Sequence, residues 1–155
     1  LSMSDSILYV EDGPDDVFFM QRAFKKIAPT VDLRIFTNGQ EAANFFLSNQ
    51  SAESLDPPLA LIILDLNLPG QSGLQVLQQI RTKSKYGKVP VILFSASSQQ
   101  LDIDSCYAAG CNAYLVKPHN PERLREMVAV INEFWLKENR YSKTPGGLAI
   151  VSGDA

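Results

Sequence analysis

Five short apolar runs recur along this chain, each followed by a stretch with helical spacing, and this alternation limits the fold more than any other feature of the sequence. Ile7-Leu8-Tyr9-Val10 is the first run, and it stops at Glu11-Asp12-Gly13-Pro14. Pro14 opens a helical stretch with Val17, Phe18, Met20, Ala23, Phe24 and Ile27 at three- and four-residue steps, and Pro29 ends it. Leu33-Arg34-Ile35-Phe36 reads as the second strand, and the Asn38-Gly39 turn leads into a helix carrying Ala42, Ala43, Phe45, Phe46 and Leu47. Residues 48–58 are polar, end in Pro57-Pro58 and read as a surface loop. Leu59-Ala60-Leu61-Ile62-Ile63-Leu64 is apolar without a break, as expected of a central strand covered on both faces. Leu74, Val76, Leu77 and Ile80 mark a third helix, and Pro90-Val91-Ile92-Leu93-Phe94 a fourth strand. Residues 99–109 form a weaker, more polar helix closed by Gly110. Ala113-Tyr114-Leu115-Val116 is the fifth strand, and residues 121–138 form the last and longest helix.

Strands that alternate with helices and carry no polar face predict a parallel sheet between two helical layers. Right-handed crossovers restrict the winding, and the common solution is α/β, a flavodoxin-like (βα)5 three-layer sandwich with strand order 2-1-3-4-5. The 155 residues suit one domain, over 5–138. A chain of this length buries roughly two-thirds of its unfolded surface and needs no covalent staple. Residues 139–155, with Gly146-Gly147 and no apolar period, read as a flexible C-terminal tail. Met3 is read as the natural start, with Leu1 and Ser2 foreign to it, and the first residues have no basic start followed by an apolar stretch. No apolar run reaches the roughly 18 residues that span a bilayer. Cys106 and Cys111 match no metal spacing and read as small structural residues in a reducing compartment, so the expected location is cytoplasmic. Fourteen basic against 17 acidic residues, net −3, offer no general attraction for nucleic acid, and no DNA-binding module is expected after Trp135.

In such a sheet the chemistry collects at the carboxyl ends of the strands. Strand 1 ends at Glu11-Asp12, strand 3 at Asp65, strand 4 at Ser95 and strand 5 at Lys117. Three carboxylates on one sheet edge repel each other, and a hard divalent cation such as Mg²⁺ relieves that. Asp12 and Asp65 are the expected direct ligands, with Glu11 holding a metal-bound water. Lys117 supplies a point charge for a phosphate oxygen and Ser95 a hydroxyl for another. The chemistry allowed is in-line phosphoryl transfer onto Asp65 by positioning and charge neutralisation. Taken singly, each residue has an ordinary explanation: a helix N-terminus, a turn aspartate, a loop lysine. Together, in order and each at a strand end, they form a site.

These residues bring the sequence to a family. Leu8-Tyr9-Val10-Glu11-Asp12, Leu64-Asp65-Leu66-Asn67-Leu68-Pro69-Gly70, Leu93-Phe94-Ser95-Ala96 and Leu115-Val116-Lys117-Pro118 resemble the receiver domains of two-component response regulators, from Ile7 to about Trp135. The resemblance implies that Asp65 accepts phosphate from a histidine kinase phosphohistidine and that the protein catalyses only its own phosphorylation and dephosphorylation. It makes Asp12, Asp65 and the main-chain carbonyl of Asn67 the metal ligands, with Glu11 in the acidic pair. Ser95 becomes the hydroxyl switch, Tyr114 the switch aromatic that turns inward with it, and Lys117 the phosphate-contacting lysine. Asn67 and Ser97 stand where receivers tune the lifetime of the phosphorylated form. Gly13 departs from the pattern, since a polar residue is common there.

A narrower likeness lies in residues 64–70, the long loop before Pro57-Pro58, and Asn132-Glu133-Phe134-Trp135-Leu136. These are similar to the small regulators that partner phytochrome-type histidine kinases, often dimeric through the helix 4–strand 5–helix 5 face. The last helix carries Leu124, Met127, Val128, Val130, Ile131, Phe134 and Trp135, more apolar groups than covering a sheet requires. Trp135 and Phe134 are therefore expected on a dimer or kinase-docking surface, the alternative being that Trp135 folds back on the body of the domain. His119 is read as a loop residue without a role. A haloacid-dehalogenase-type phosphatase uses similar groups, but its nucleophile follows the first strand in an Asp-x-Asp pair, whereas here the acidic pair comes first and Asn67 replaces the second Asp. A flavin carrier needs a phosphate loop after strand 1, where Glu11-Asp12 would repel the phosphate. A phosphate-independent adaptor would need none of the site residues, all of which are present.

Overall fold

The computed structural model describes residues 5–48, 55, 57–140 and 142. β1 (Ser6–Val10), β2 (Asp32–Phe36), β3 (Leu59–Leu64), β4 (Val91–Ser95) and β5 (Ala113–Val116) form one sheet in the order β2-β1-β3-β4-β5. Every pairing is parallel. Between the strands run α1 (Pro14–Ile27), α2 (Gly39–Phe46), α3 (Gly73–Lys83) and α4 (Gln100–Ala108), and α5 (Pro121–Ile131) follows β5. The expected fold class and strand order are both observed.

Strand alternation divides the core into two layers. Leu8, Val10, Ile62, Leu64, Val91 and Leu93 face one side, where they meet Ala42 and Phe46 of α2 and Val76, Leu77 and Ile80 of α3. Ile7, Tyr9, Leu61, Ile63, Ile92 and Phe94 face the other, against Met20, Ala23 and Phe24 of α1 and Leu124, Val128 and Ile131 of α5. Every residue of β1 and β3 is buried, which accounts for the unbroken apolar run at 59–64. α4 is the exception among the helices. It buries only Cys106, and its Leu101 is 74% exposed.

Local signals set the helix starts. Ser72 and Gln75 cap α3 reciprocally, and the Asn38 and Asn120 side chains accept the Glu41 and Arg123 N–H groups at the heads of α2 and α5. Two glycines allow close main-chain approach around β3. A Cβ on Gly73 would stand 2.0 Å from the Asp65 carbonyl oxygen, and one on Gly39 would stand 1.8 Å from that of Gln71. The loop after β3 is thereby wedged between the heads of α2 and α3.

One expectation is refined and two are corrected. The last helix runs over 121–138 as expected, but it changes type on the way: α5 ends at Ile131 and a π-helical extension, Asn132–Glu138, continues it. Its wider turn brings Trp135 and Leu136 onto the core layer beneath α1 and α5, so Trp135 folds back on the domain. The surplus apolar surface at that end belongs to Phe134, 51% exposed, and Val130, 66% exposed. Within the expected surface loop at 48–58, Leu55 is buried in the core, while residues 49–54 and 56 lie outside the described residues. The expected tail also lies outside them, apart from residues 139, 140 and 142. No helix among the described residues is long and apolar enough to cross a membrane.

Candidate functional site

The strand order lays the carboxyl ends of β1, β3, β4 and β5 side by side. Backbone bonds fix the residues that follow them: the Asp65 N–H donates to the Val10 carbonyl at 3.1 Å, and the Lys117 N–H to the Ser95 carbonyl at 2.8 Å. Glu11, Asp12 and Asp65 each place a carboxylate oxygen within 4.8 Å of the other two. Glu11 and Asp65 are buried and Asp12 is exposed, so the cluster opens to solvent through Asp12.

Lys117 faces this cluster. Its Nζ lies 2.6 Å from Glu11 Oε1, 3.1 Å from Asp16 Oδ2 and 3.5 Å from Asp65 Oδ2. Glu11 also accepts the Tyr9 hydroxyl at 3.3 Å and the Gly13 N–H at 3.0 Å. Asp65 accepts the Leu66 N–H at 2.8 Å, and the Asn67 N–H supports the same carboxylate from the exposed loop.

Burial pushes the Asp65 carboxyl above the usual carboxylate range, against the Lys117 charge and the two N–H groups. Burial raises Glu11 as well, opposed by Lys117 and the Gly13 N–H and assisted by the charge of Asp65. Burial alone would lower Lys117, but its bond to Glu11, the charges of Asp65 and Glu11 and its bond to Asp16 outweigh that and raise it. Lys117 is therefore fully charged, yet its single charge leaves the three carboxylates in excess. A hard dication with oxygen ligands would relieve both the repulsion and the burial cost, and the all-oxygen donor set fits one.

The direction of the Asp65 shift gives a testable pH dependence. A carboxyl raised in the folded state binds its proton there more tightly than in the unfolded chain, so its contribution to stability is lost as pH rises above the ordinary value, about 4. In metal-free protein Asp65→Asn should be more stable than the wild type. The margin should grow from about pH 4 upward, with a limiting slope of about 1.4 kcal/mol per pH unit. Urea melts of both proteins in a chelating buffer across that range measure it, and a margin that shrinks would reverse the sign.

The two candidate switch residues meet at Ser97. Ser95 is fully buried and its Oγ accepts the Ser97 N–H at 3.1 Å. The Tyr114 hydroxyl donates to the Ser97 carbonyl at 2.9 Å, so this half-buried tyrosine is tied to main chain. Ser97 Oγ in turn donates to Asp102 in the first turn of α4 at 2.5 Å. His119 is exposed, in keeping with its reading as a loop residue. Both cysteines are free and buried, and burial, with Cys111 and Asp102 nearby, pushes the Cys106 thiol up to about 11.

Sequence reasoning missed Asp16, Tyr9 and the linking role of Ser97. Asp16 did carry a signal. It stands in the first turn of a helix that starts where β1 ends, so it had to lie near the same sheet edge.

The sequence profile of the response regulator receiver domain matches residues 7–129. The chain belongs to that family. Response regulator Rcp1 of Synechocystis sp. is 35% identical to it over 131 residues, 84% of this chain and 88% of its own. The probable methanogenesis regulatory protein FilR2 of Methanothrix harundinacea is 31% identical over 134 residues, 86% of this chain and 85% of its own. Among solved structures, the Mn(2+)-bound form of Rcp1 is similar with a TM-score of 0.76 and 33% identity, covering 89% of this chain and 99% of its own. The phosphorylated cyanobacterial phytochrome response regulator RcpA is similar with a TM-score of 0.78 and 30% identity, covering 89% and 98%. As a receiver, the chain is a signalling protein rather than an ordinary enzyme, and its carboxylate cluster fits a divalent metal.

Proposed function

We propose that this receiver accepts a phosphoryl group from the phosphohistidine of a sensor histidine kinase onto Asp65, in a Mg²⁺-dependent reaction. An Asp65 oxygen attacks the phosphorus, the phosphorus–nitrogen bond to the imidazole breaks, and the departing nitrogen takes up a proton from water. Glu11, Asp12, Asp65 and the Asn67 carbonyl would hold Mg²⁺, which when bound offsets the charge of the phosphoryl oxygens. Lys117 would move from its carboxylate partners to a phosphoryl oxygen, and the Ser95 hydroxyl would meet another. Hydrolysis of the acyl phosphate at the same corner returns the protein to its starting state.

The observation that carries this reading is the single cluster formed by Glu11, Asp12 and Asp65 with Lys117 at bonding distance. Output would pass through the α4–β5–α5 face, where Leu101, Val116 and Val130 are exposed at 74%, 41% and 66% and offer apolar contacts for a partner or a second copy. Tyr114, bonded to Ser97 and through it linked to α4, would carry the change from Ser95 to that face. The resemblance to a phytochrome response regulator makes a phytochrome-type kinase the first partner to try.

The test is phosphotransfer from a panel of autophosphorylated histidine kinases, with Mg²⁺ or with chelator, followed by sizing. Rapid transfer from one kinase in the Mg²⁺ arm alone is expected. Lys117→Ala should still be labelled, roughly tenfold more slowly, and should show no phosphorylation-dependent change in Tyr114 fluorescence or elution. Transfer that ignores the chelator, or no transfer from any kinase, would contradict the proposal.

A further inference from the structure

Asp16 is a fourth carboxylate at this site, and neither the metal cluster nor the acceptor role uses it. Its Oδ2 lies 3.1 Å from Lys117 Nζ, and the ammonium is shared between Asp16, Glu11 at 2.6 Å and Asp65 at 3.5 Å. Asp16 is half exposed, whereas Glu11 is buried, so of the two close partners Asp16 is the one free to swing into water. It also lines a cavity of about 270 Å³ with Lys117, Tyr9, Phe94 and Pro118, beside the reacting corner. Gly13 leaves room beside this contact. A Cβ there would stand 3.3 Å from Asp16 Oδ2 and 3.3 Å from Glu11 Oε2, between the two carboxylates that grip the lysine.

We infer that Asp16 is a positioning residue that holds Lys117 on the Glu11 side of the site and competes with the incoming phosphoryl oxygens for its ammonium. This rests on Asp65 being the acceptor. The competition sets how much phosphodonor is needed, because each binding event must first detach Lys117 from Asp16. A partly exposed ion pair is a weak restraint, so the effect is a tuning of several-fold rather than a block. Gly13 bears on the same contact, since a Cβ there would press on the Asp16 carboxylate from 3.3 Å.

The experiment is the rate of Asp65 labelling by acetyl phosphate with Mg²⁺, measured against donor concentration for the wild type, Asp16→Asn, Asp16→Glu, Gly13→Asn and the double variant with Lys117→Ala. Asp16→Asn should lower the half-saturating donor concentration about two- to fivefold while leaving the maximal rate and the melting temperature nearly unchanged. Gly13→Asn should shift it the same way, and Asp16→Glu should restore most of the wild-type value. In the Lys117→Ala background, Asp16→Asn should change nothing, because the restraint acts through the lysine. An unchanged half-saturating concentration in Asp16→Asn, or an equal shift with the lysine absent, would overturn the assignment while leaving Asp65 the acceptor. A wild-type chain that takes no label would overturn both.

Discussion

Asp65→Asn should lose Mg²⁺-dependent labelling by acetyl phosphate or kinase, by at least about a hundredfold, while keeping its fold. The amide has nearly the shape of the carboxylate, and its oxygen can still accept the Leu66 N–H. It removes the charge and nucleophilicity that the acyl phosphate bond requires. Neither neighbour is a ready substitute. Glu11 is committed to Lys117, Tyr9 and the Gly13 N–H, and Asp12 lies on the exposed rim. Intact-mass measurement of labelled wild type and variant reads the result directly. Full labelling of the variant would move the acceptor elsewhere.

The second large effect belongs to a residue without a side chain. Gly73→Ala should destabilise the protein by about 3 kcal/mol, at the upper end of the cost of overpacking. In a domain of this size that lowers the melting temperature by roughly 10 °C. The added carbon would meet the Asp65 carbonyl oxygen at 2.0 Å and the Leu66 Cα at 2.8 Å. Both are main-chain atoms, so no rotamer change relieves the clash. Because the Gly73 N–H also donates to the Leu66 carbonyl at 2.8 Å, the head of α3 and the loop after β3 must move together. Labelling at Asp65 should therefore fall even at temperatures where the variant is folded. Thermal melts and labelling rates on one preparation check both effects, and a variant with wild-type melting would show that the loop yields more readily than its packing implies.

Much of this was legible in the sequence because fully buried parallel strands leave an unmistakable pattern. The runs at 7–10, 59–64 and 91–94 stop at the carboxyl edge of the sheet, and the first polar residues there are Glu11, Asp65 and Ser95. That logic locates a strand end but not the neighbours of a side chain. Whether Lys117 rests on Glu11, Asp16 or Asp65 depends on helix placement to within an ångström or so, which periodicity does not encode. Ser97 escaped as a link because its contacts use the main-chain N–H and carbonyl as well as the hydroxyl. Gly73 and Gly39 escaped because a close approach is visible only once the opposing chain is in place. The π geometry at the end of the last helix escaped for a different reason. Over seven residues, α and π spacing cannot be told apart by pattern, and it was the packing of Trp135 and Leu136 that decided between them.

Signalling at this site requires Asp65 to become an acyl phosphate while a dication balances the acids around it. A crystal structure with Mg²⁺ and beryllofluoride tests this most directly. The expected result is a tetrahedral fluoroberyllate on Asp65, a cation against Asp12 and Asp65, and Lys117 turned from Asp16 to a fluorine. An unmodified Asp65 under the same conditions, with Lys117 still held by Glu11 and Asp16, would contradict it.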